Sequence, residues 1–405
     1  MKDRKTSFSG VAGKVFDCAC RIVLECDCGR VTLDDALDGV SAEFRRTVEH
    51  LLFTFFRQRR IVENILKRFI KKSPAPEVMI LLALAAVQTR FQRGIAPESA
   101  VNVAVDAAKK FHADKFVNAV LRNFLRTEFP VESAPADILP PTIFQRWKKR
   151  FDQETLKNFA GLFTAEPIFT YRILPGFEPI AESIPVESFG KTRFASAPAS
   201  AVLNSESLAE GGFYIQDPAT SFAVSLAADD APRARNVLDI CAAPGGKTLM
   251  LGELCPPECN ITAADINGRR QERTRKNFEV YQRNYQVITA APEKITGKFD
   301  IIMADMPCSN TGVFRKRPDA LWRFNEKHLR EIVQIQHHIL ESAAKLLAPN
   351  GVIIVSTCSI EPEENAQLID FLTSLDPAFH CEIRQTILPD PTRDGAFAAR
   401  VRLVV

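Results

Sequence analysis

The fold of this chain is decided by the stretch Val237-Leu238-Asp239-Ile240-Cys241-Ala242-Ala243-Pro244-Gly245-Gly246-Lys247-Thr248. Its apolar first part predicts a buried parallel strand, its small residues predict a tight loop, and the pattern from Lys247 onward predicts a helix. The two adjacent glycines lack Cβ atoms, so backbone N–H groups of the loop can approach a ligand closely. Cys241 stands where a phosphate-binding P-loop needs its first glycine, and the loop is not a G-x-G-x-x-G motif either.

A second apolar run supports a ligand-binding role for this loop. It is Ile261-Thr262-Ala263-Ala264, and it ends in Asp265, which lies 19 positions after Gly246. An acid at about that distance holds ribose hydroxyls in α/β nucleotide-binding folds. The alternative is that the two glycines only reverse the chain direction. The motifs further along the chain distinguish a ligand-binding loop from a simple turn.

Strands and helices alternate from Arg235 onward, which predicts an α/β fold with a mostly parallel sheet and ligands at the carboxyl ends of its strands. The predicted strands are Asn236–Ile240, Ile261–Asp265, Val287–Thr289, Phe299–Asp305, Gly351–Thr357 and Phe397–Val405, and the clearest helix is 326–347. The part before the sheet predicts a strand at 169–173.

The N-terminal part predicts an all-helical domain over residues 1–130, followed by a proline-rich linker between Pro130 and Pro141. We predict a small α+β linking segment at 141–208 and the α/β domain at 209–405. Residues 1–130 carry 22 Lys and Arg against 15 Asp and Glu, whereas the remainder is net negative by four. This asymmetry favours a nucleic-acid partner, although an ordinary solvated helical surface is an alternative.

The composition, 46% hydrophobic and 25% charged residues, is typical of a globular protein. The longest apolar run, Val78–Val87, is too short to span a bilayer, and the polar start up to Gly13 predicts no signal peptide. Ten irregularly spaced cysteines then indicate reduced thiols and a cytoplasmic location. One cysteine cluster has two interpretations: the C-x-C…C-x-C pattern predicts either a zinc site or cysteines that pack on a helix, and its members are Cys18, Cys20, Cys26 and Cys28. A cluster of cations could contact phosphates, and its members are Arg57, Arg59, Arg60, Lys67, Arg68, Lys71 and Lys72.

Two further predicted strands end in cysteine motifs. The strand 299–305 runs into Met306-Pro307-Cys308, and the strand from Gly351 runs into Thr357-Cys358-Ser359. Because parallel strands end at one edge of a sheet, we expect both thiols beside the glycine loop. Packing does not require a thiol at either place, since strand-end loops are surface features.

These motifs resemble those of the RNA 5-methylcytosine methyltransferases that use S-adenosylmethionine, and the match extends over nearly the whole chain to the RsmB/Sun family of bacterial ribosomal enzymes with a NusB-like N-terminal domain. The matching stretches are Cys241–Lys247, Asp305–Ser309, Thr357–Ser359, Asp394–Phe397 and, at the end of the NusB-like domain, Asn118–Arg122. DNA cytosine methyltransferases resemble this chemistry but use the Pro-Cys thiol as nucleophile. The Thr-Cys-Ser motif therefore favours RNA.

The resemblance implies a Rossmann-like methyltransferase domain in which Cys358 is the nucleophile, Cys308 assists proton removal or product release, and Asp305 binds the target base. It assigns cofactor binding to Cys241, Ala242, Ala243, Pro244, Gly245, Gly246, Lys247, Asp265 and Asp305. We expect no metal, no membrane association and a monomer. The family's acid after the third strand is missing, since this chain has Ala290-Ala291 there. Glu293 is a possible substitute.

The predicted substrate is a cytosine in small-subunit (16S) ribosomal RNA that leaves its stack to reach the thiols. Arg315, Lys316, Arg317 and Trp322 follow the Pro-Cys loop and are candidates for gripping the RNA backbone; a solvated basic turn is the alternative. The same chemistry on tRNA or on another ribosomal site, and a non-catalytic RNA-binding assembly factor, are the other functions that this sequence allows.

Overall fold

The structure, a computed structural model, describes residues 10–129 and 133–405. Residues 1–9 of the predicted polar N-terminus and Pro130 of the predicted linker lie outside the described residues. The helices are α1 (Val11–Asp27), α2 (Leu33–Asp38), α3 (Arg45–Lys67), α4 (Pro76–Phe91), α5 (Pro97–Ala108), α6 (Asp114–Leu125), α7 (Pro135–Ile138), α8 (Pro141–Trp147), α9 (Gln153–Thr164), α10 (Ala199–Leu203), α11 (Glu206–Ala209), α12 (Thr220–Ser225), α13 (Gly246–Gly252), α14 (Gly268–Val280), α15 (Pro318–Arg323), α16 (Glu326–Leu346) and α17 (Ala366–Ser374). The strands are β1 (Thr170–Ile173), β2 (Ile184–Val186), β3 (Arg193–Ser196), β4 (Phe213–Ile215), β5 (Asn236–Asp239), β6 (Asn260–Asp265), β7 (Gln286–Thr289), β8 (Phe299–Asp305), β9 (Leu347–Thr357), β10 (Phe379–Ile387) and β11 (Ala396–Leu403).

The chain divides into two compact units. The first comprises Met1–Glu166 together with Phe314–Asn325, and the second comprises Pro167–Val313 together with Glu326–Val405. These boundaries differ from the predicted ones, since α8 and α9 belong to the helical unit and not to a linking segment. The predicted α/β domain also loses residues 314–325, which belong to the first unit.

The first unit is all-helical, as predicted for the N-terminal part. Helix α4 is its centre, because its residues 80–88 are all buried and it is apolar all round. Helices α1, α3, α5 and α6 pack around α4 and bury one apolar face each. Cys20 and Cys26 are part of this core on α1, which accounts for two of the four N-terminal cysteines as packing residues.

The segment 314–325 belongs to the helical unit because aromatic and polar contacts anchor it there. The buried ring of Phe314 stacks on that of Trp147, with centroids 5.8 Å apart. The indole Nε1 of Trp322 donates to the carbonyl of Phe56 at 2.8 Å, and the guanidinium of Arg59 lies 4.7 Å from the centre of the Trp322 ring. These contacts are the physical reason why the predicted domain boundaries differ from the observed ones.

The predicted RNA-gripping residues are part of the same anchored segment. Arg315 is only 5% exposed, and Arg57 donates a hydrogen bond to its backbone carbonyl at 3.3 Å. Arg317 is exposed and lies 3.5 Å from a carboxylate oxygen of Asp34, while Lys316 is half-buried. The burial of Arg315 does not favour an RNA contact, and its predicted role stays a prediction. The predictions for Lys316 and Arg317 stay predictions.

Three cations of the predicted phosphate cluster also make contacts inside the first unit. Arg59 forms two hydrogen bonds to the carboxylate of Asp27, at 2.6 and 2.7 Å, and one to Glu63. Arg60 donates to the carbonyl of Ala136, and Arg57 has the contact described above. The cations of this cluster that remain exposed are Lys67, Arg68, Lys71 and Lys72.

The second unit contains a seven-stranded sheet with the order β10-β11-β9-β8-β5-β6-β7. The pairs from β9 to β7 are parallel and the two pairs made by β11 are antiparallel, which confirms the predicted α/β fold with a mostly parallel sheet. Apolar cores cover both faces of this sheet, with Leu238 and Ile302 in one core and Val237 and Ile301 in the other. Strands β1 to β4 form a separate antiparallel sheet in the order β2-β3-β1-β4.

Strand β10 was not predicted. Seven of its nine residues, those between Phe379 and Ile387, are exposed because it is an edge strand. Exposure on both faces removes the alternation of apolar and polar residues on which strand prediction depends. Within residues 10–129 and 133–405, no helix is long and apolar enough to cross a membrane.

Candidate active site

The two cysteine motifs follow neighbouring strands of the large sheet. Strands β8 and β9 run parallel in a register that pairs Asp305 with Ser356. The loops that follow bring the Sγ atoms of Cys308 and Cys358 to 3.1 Å from each other. The structure therefore brings together the two thiols that the sequence placed at one edge of the sheet.

Backbone contacts hold the two cysteine loops against each other. The N–H of Gly312 donates to the carbonyl of Cys358 at 2.9 Å, and the N–H of Gly395 donates to the carbonyl of Gly312 at 2.8 Å. A Cβ atom on Gly312 would lie 2.5 Å from the carbonyl oxygen of Gly395. Only glycine fits there, so the close approach of these loops depends on that residue.

Asn310 connects the two thiol loops through its side chain. Its amide nitrogen donates to the carbonyl of Cys308, and its amide oxygen lies 3.1 Å from the Sγ of Cys358, which donates to it. Asn310 adopts the left-handed conformation with φ 62°, which asparagine tolerates better than most residues. The hydrogen bonds therefore run from Cys308 to Cys358 and from Cys358 to Asn310.

The pKa of Cys308 is raised well above its usual value. The hydrogen bond to Cys358 is the largest cause, followed by burial and by the negative charge of Glu364. Cys308 is consequently a neutral thiol at physiological pH, which suits a proton carrier better than a nucleophile.

A lysine–carboxylate pair stands at the same edge of the sheet. The Nζ of Lys247 lies 2.7 Å from Oδ2 of Asp305, and the hydroxyl of Ser356 donates to Oδ1 of Asp305 at 2.7 Å. Burial is the largest single effect and lowers the pKa of Lys247, but the charge and the hydrogen bond of Asp305, together with smaller contributions from other nearby groups, outweigh it, so the pKa is raised overall and the ammonium stays charged. A small pocket is lined by Lys247, Asp305 and Cys358, together with Asp217, Ala219, Thr220, Ala223, Val313, Ser356, Thr357, Asp394, Gly395, Ala396 and Phe397.

The glycine loop connects β5 to α13 close to neighbouring side chains. Gly245 has φ 96°, and a Cβ atom there would lie 2.8 Å from the ring of Phe278. A Cβ atom on Gly246 would lie 3.0 Å from the ring of Tyr214. Asp239, at the end of β5, accepts a hydrogen bond from Thr248, and burial raises its pKa to about 7.

Replacing Gly245 with alanine is expected to lower the free energy of unfolding by about 1–3 kcal/mol, because φ 96° is strained for any residue with a Cβ atom and the added methyl group meets Phe278. Thermal and denaturant unfolding measure the loss. Gly268→Ala is the matched control in the same unit, since its nearest neighbour is the methyl group of Thr289 at 3.7 Å. Equal unfolding curves for the two variants would show that the loop tolerates a Cβ atom at position 245.

Asp265 lies at the end of β6, next to the glycine loop, as predicted. It is 4% exposed, and its carboxylate accepts hydrogen bonds from the backbone N–H of Asn267 at 2.8 Å and of Ala243 at 3.4 Å. Arg270 donates to the carbonyl of Ala243, which ties α14 to the loop. A carboxylate has lone pairs beyond these two bonds, so Asp265 retains capacity for further donors.

The position of the missing acid is occupied by Ala290, whose N–H donates to the carbonyl of Asp265 at 3.2 Å. Glu293 lies in a short 3₁₀ turn and its carboxylate is 3.1 Å from Nε2 of His338. The proposed substitute acid therefore has a partner on α16. His337, beside it in sequence, stacks on the ring of Phe371.

Glu364 is the main residue of this region that the sequence did not single out. It is fully buried and accepts hydrogen bonds from Ser309 and Ser359, which follow the two cysteines. The only signal was the acidic stretch after the second cysteine motif, and that stretch does not indicate which of its carboxylates faces inward.

Comparisons with known proteins match two regions of the chain. A model of the 16S rRNA methyltransferase RsmB/F family matches residues 225–396, and a model of the NusB family matches residues 24–126. Ribosomal RNA small subunit methyltransferase B of Pasteurella multocida is 28% identical over 415 aligned residues, covering 92% of this chain and 91% of that protein. The protein of the same name from Shewanella oneidensis is 37% identical over 165 residues, which are 40% of this chain and 38% of that protein.

Two solved structures share the fold. PH0851 superposes with a TM-score of 0.74 at 20% identity and covers 97% of this chain and 99% of its own. NSun6 from Pyrococcus horikoshii, solved with SFG, superposes with a TM-score of 0.54 at 17% identity, over 66% of this chain and 98% of its own. The chain therefore carries an RsmB/F methyltransferase region and a NusB-family region, and it is similar over 92% of its length to a relative named ribosomal RNA small subunit methyltransferase B.

Proposed function

We propose that this protein transfers a methyl group from S-adenosylmethionine to C5 of a cytosine in small-subunit ribosomal RNA, through a covalent bond between Cys358 and C6 of the base. The proposal depends mainly on one observation, the two thiols whose Sγ atoms lie 3.1 Å apart. The thiols follow strands β8 and β9, and the Lys247–Asp305 pair stands at the same edge of the sheet. A protein that only binds RNA needs neither thiol. The match of residues 225–396 to the 16S rRNA methyltransferase RsmB/F model supports ribosomal RNA as the substrate.

The residues of the glycine loop fit the cofactor. Gly245 and Gly246 place no side chain on the loop, which lets backbone N–H groups approach a ligand, and their missing Cβ atoms also leave room for the rings of Phe278 and Tyr214. Residues 241–247 would hold the cofactor, and Asp265 would accept hydrogen bonds from its ribose. When bound, S-adenosylmethionine supplies the electrophilic methyl group.

Cys358 acts on the base as the nucleophile. Its thiolate forms a bond to C6, and the electron pair of the C5–C6 double bond makes C5 nucleophilic. Asp305 accepts hydrogen bonds from the exocyclic amine and from protonated N3, which stabilises the adduct. The ammonium of Lys247 contacts Asp305 and lines the same pocket as Cys358.

Cys308 acts when the product is released. After C5 has taken up the methyl group, the C5 proton is lost to solvent, the C5–C6 double bond is restored and the electron pair of the bond between C6 and Cys358 leaves with the sulfur. Cys308 is a neutral thiol 3.1 Å from the departing sulfur, so it can donate a proton to Cys358. This assigns the two thiols different tasks.

Nucleoside analysis tests the proposal. Small-subunit RNA that lacks the modification is incubated with the protein and S-adenosylmethionine, then digested and searched for 5-methylcytidine by mass spectrometry, with Cys358→Ala as the control. Methylation by the wild type alone supports the proposal, and parallel reactions with tRNA and large-subunit RNA test the alternative substrates. If calorimetry detects no binding of the cofactor at millimolar concentration, a non-catalytic assembly role replaces the proposal.

A further inference from the structure

Glu364 is a buried carboxylate at the junction of the two cysteine loops. It lies in a 3₁₀ turn, Pro362–Glu364, between β9 and α17. The N–H of Ser309 donates to Oε1 at 2.8 Å, and the hydroxyls of Ser309 and Ser359 both donate to Oε2. One carboxylate therefore contacts the residue after Cys308 and the residue after Cys358.

The surroundings of Glu364 suit a charged carboxylate. The amide of Gln336 supplies a fourth donor at 3.3 Å from Oε1 and also donates to the carbonyl of Pro307 at 2.7 Å. Four converging donors match an acceptor that offers two oxygens. Burial raises the pKa of Glu364 overall, and the hydrogen bonds from Ser309 and Ser359, which favour the charged form, reduce the size of that rise.

A wider network fixes the second loop to the first. The hydroxyl of Ser359 lies 3.0 Å from that of Thr311 and accepts a hydrogen bond from the N–H of Glu361. Thr357 donates to the amide oxygen of Asn365 at 2.7 Å, and the amide nitrogen of Asn365 donates back to the carbonyl of Ser359. Buried networks of this kind favour one arrangement when every member has a partner.

We propose that Glu364 is a positioning residue that holds the two cysteine loops in a single arrangement, so that the thiols of Cys308 and Cys358 stay in contact during the reaction. Its consequence for catalysis rests on the proposed function, whereas the arrangement of the thiols is measurable without RNA or cofactor. The rival explanation is that Glu364 only contributes to the stability of the fold. In that case the thiols of a folded variant would remain as close as in the wild type.

The test measures how readily the two thiols form a disulfide. Full-length protein is equilibrated with reduced and oxidised glutathione, and peptide mapping by mass spectrometry quantifies the Cys308–Cys358 disulfide. In this exchange the two thiols are oxidised to one S–S bond, and glutathione disulfide is reduced to two glutathione thiols that receive the protons. At a known ratio of reduced to oxidised glutathione, the fraction of protein that contains this disulfide gives the effective concentration of one thiol relative to the other.

The variants are Glu364→Gln, the double variant Ser309→Ala/Ser359→Ala, and Glu363→Gln as the control that removes a neighbouring carboxylate. We expect Glu364→Gln to lower the effective concentration about tenfold or more, since it weakens hydrogen bonds to a charged acceptor, and Glu363→Gln to leave it within about twofold. Thermal unfolding shows which variants are folded. The serine variant keeps the buried carboxylate and decides the question if Glu364→Gln does not fold.

Methyl transfer is measured on the same proteins. If the proposal is correct, the kcat of Glu364→Gln falls together with the effective concentration, and the KM for RNA stays within about twofold of the wild type. An unchanged effective concentration in folded variants overturns the proposal, whether or not kcat falls. If the wild type transfers no methyl group, the proposed function fails, and the disulfide measurement still decides the role of Glu364.

Discussion

Replacing Cys358 with alanine is expected to abolish methyl transfer, by on the order of 10⁴-fold or more, and to remove any covalent complex with RNA. Cys308→Ala is expected to behave differently. The bond between Cys358 and C6 still forms in that variant, but the proton donor 3.1 Å from the departing sulfur is lost. A covalent RNA–protein adduct should therefore accumulate, and turnover should stop after about one cycle.

A denaturing gel of the proteins after incubation with ribosomal RNA and S-adenosylmethionine shows the difference directly. A shifted band that depends on RNA is expected with Cys308→Ala and not with Cys358→Ala. Cys381→Ala is the control, because Cys381 is an exposed thiol on the edge strand β10. Equal behaviour of Cys308→Ala and Cys358→Ala would contradict the division of tasks between the two thiols.

The placement of the thiols was predictable because each cysteine follows directly on a strand, and the parallel strands of the sheet end at the same edge. Cys308 follows β8 and Cys358 follows β9 by one to three residues. In a parallel sheet such residues meet at the carboxyl edge whatever the details of the loops. The same reasoning correctly placed Asp265 beside the glycine loop.

The surroundings of the thiols were not predictable, since they depend on contacts between distant parts of the chain. Glu364 is one acid in an acidic stretch, and its inward direction follows from its hydrogen bonds with Ser309, 55 positions earlier. Arg315 belongs to a basic run that is typical of a solvated turn. It is buried because the adjacent Phe314 packs on Trp147, far away in sequence.

The second large effect is expected for Asp305→Asn, which should lower kcat by about 10²–10³-fold. The amide cannot pair with the charged ammonium of Lys247, 2.7 Å away, and it offers the base one acceptor oxygen instead of two. Single-turnover methyl transfer measures the loss, and calorimetry with the cofactor separates it from weaker cofactor binding. Ser356→Ala is the graded control, because it removes only the hydrogen bond to Oδ1 of Asp305 and should slow the reaction about tenfold or less.

A double-mutant cycle with Lys247→Met distinguishes a base-binding role of Asp305 from a merely structural one. If Asp305 only neutralised Lys247, the change Asp305→Asn would cost little in a Lys247→Met background, and the double variant would be as fast as Lys247→Met alone. If Asp305 binds the base, the double variant is clearly slower than Lys247→Met alone, because the acceptor for the exocyclic amine is still missing. We expect the second result, since Asp305, Lys247 and Cys358 line one pocket.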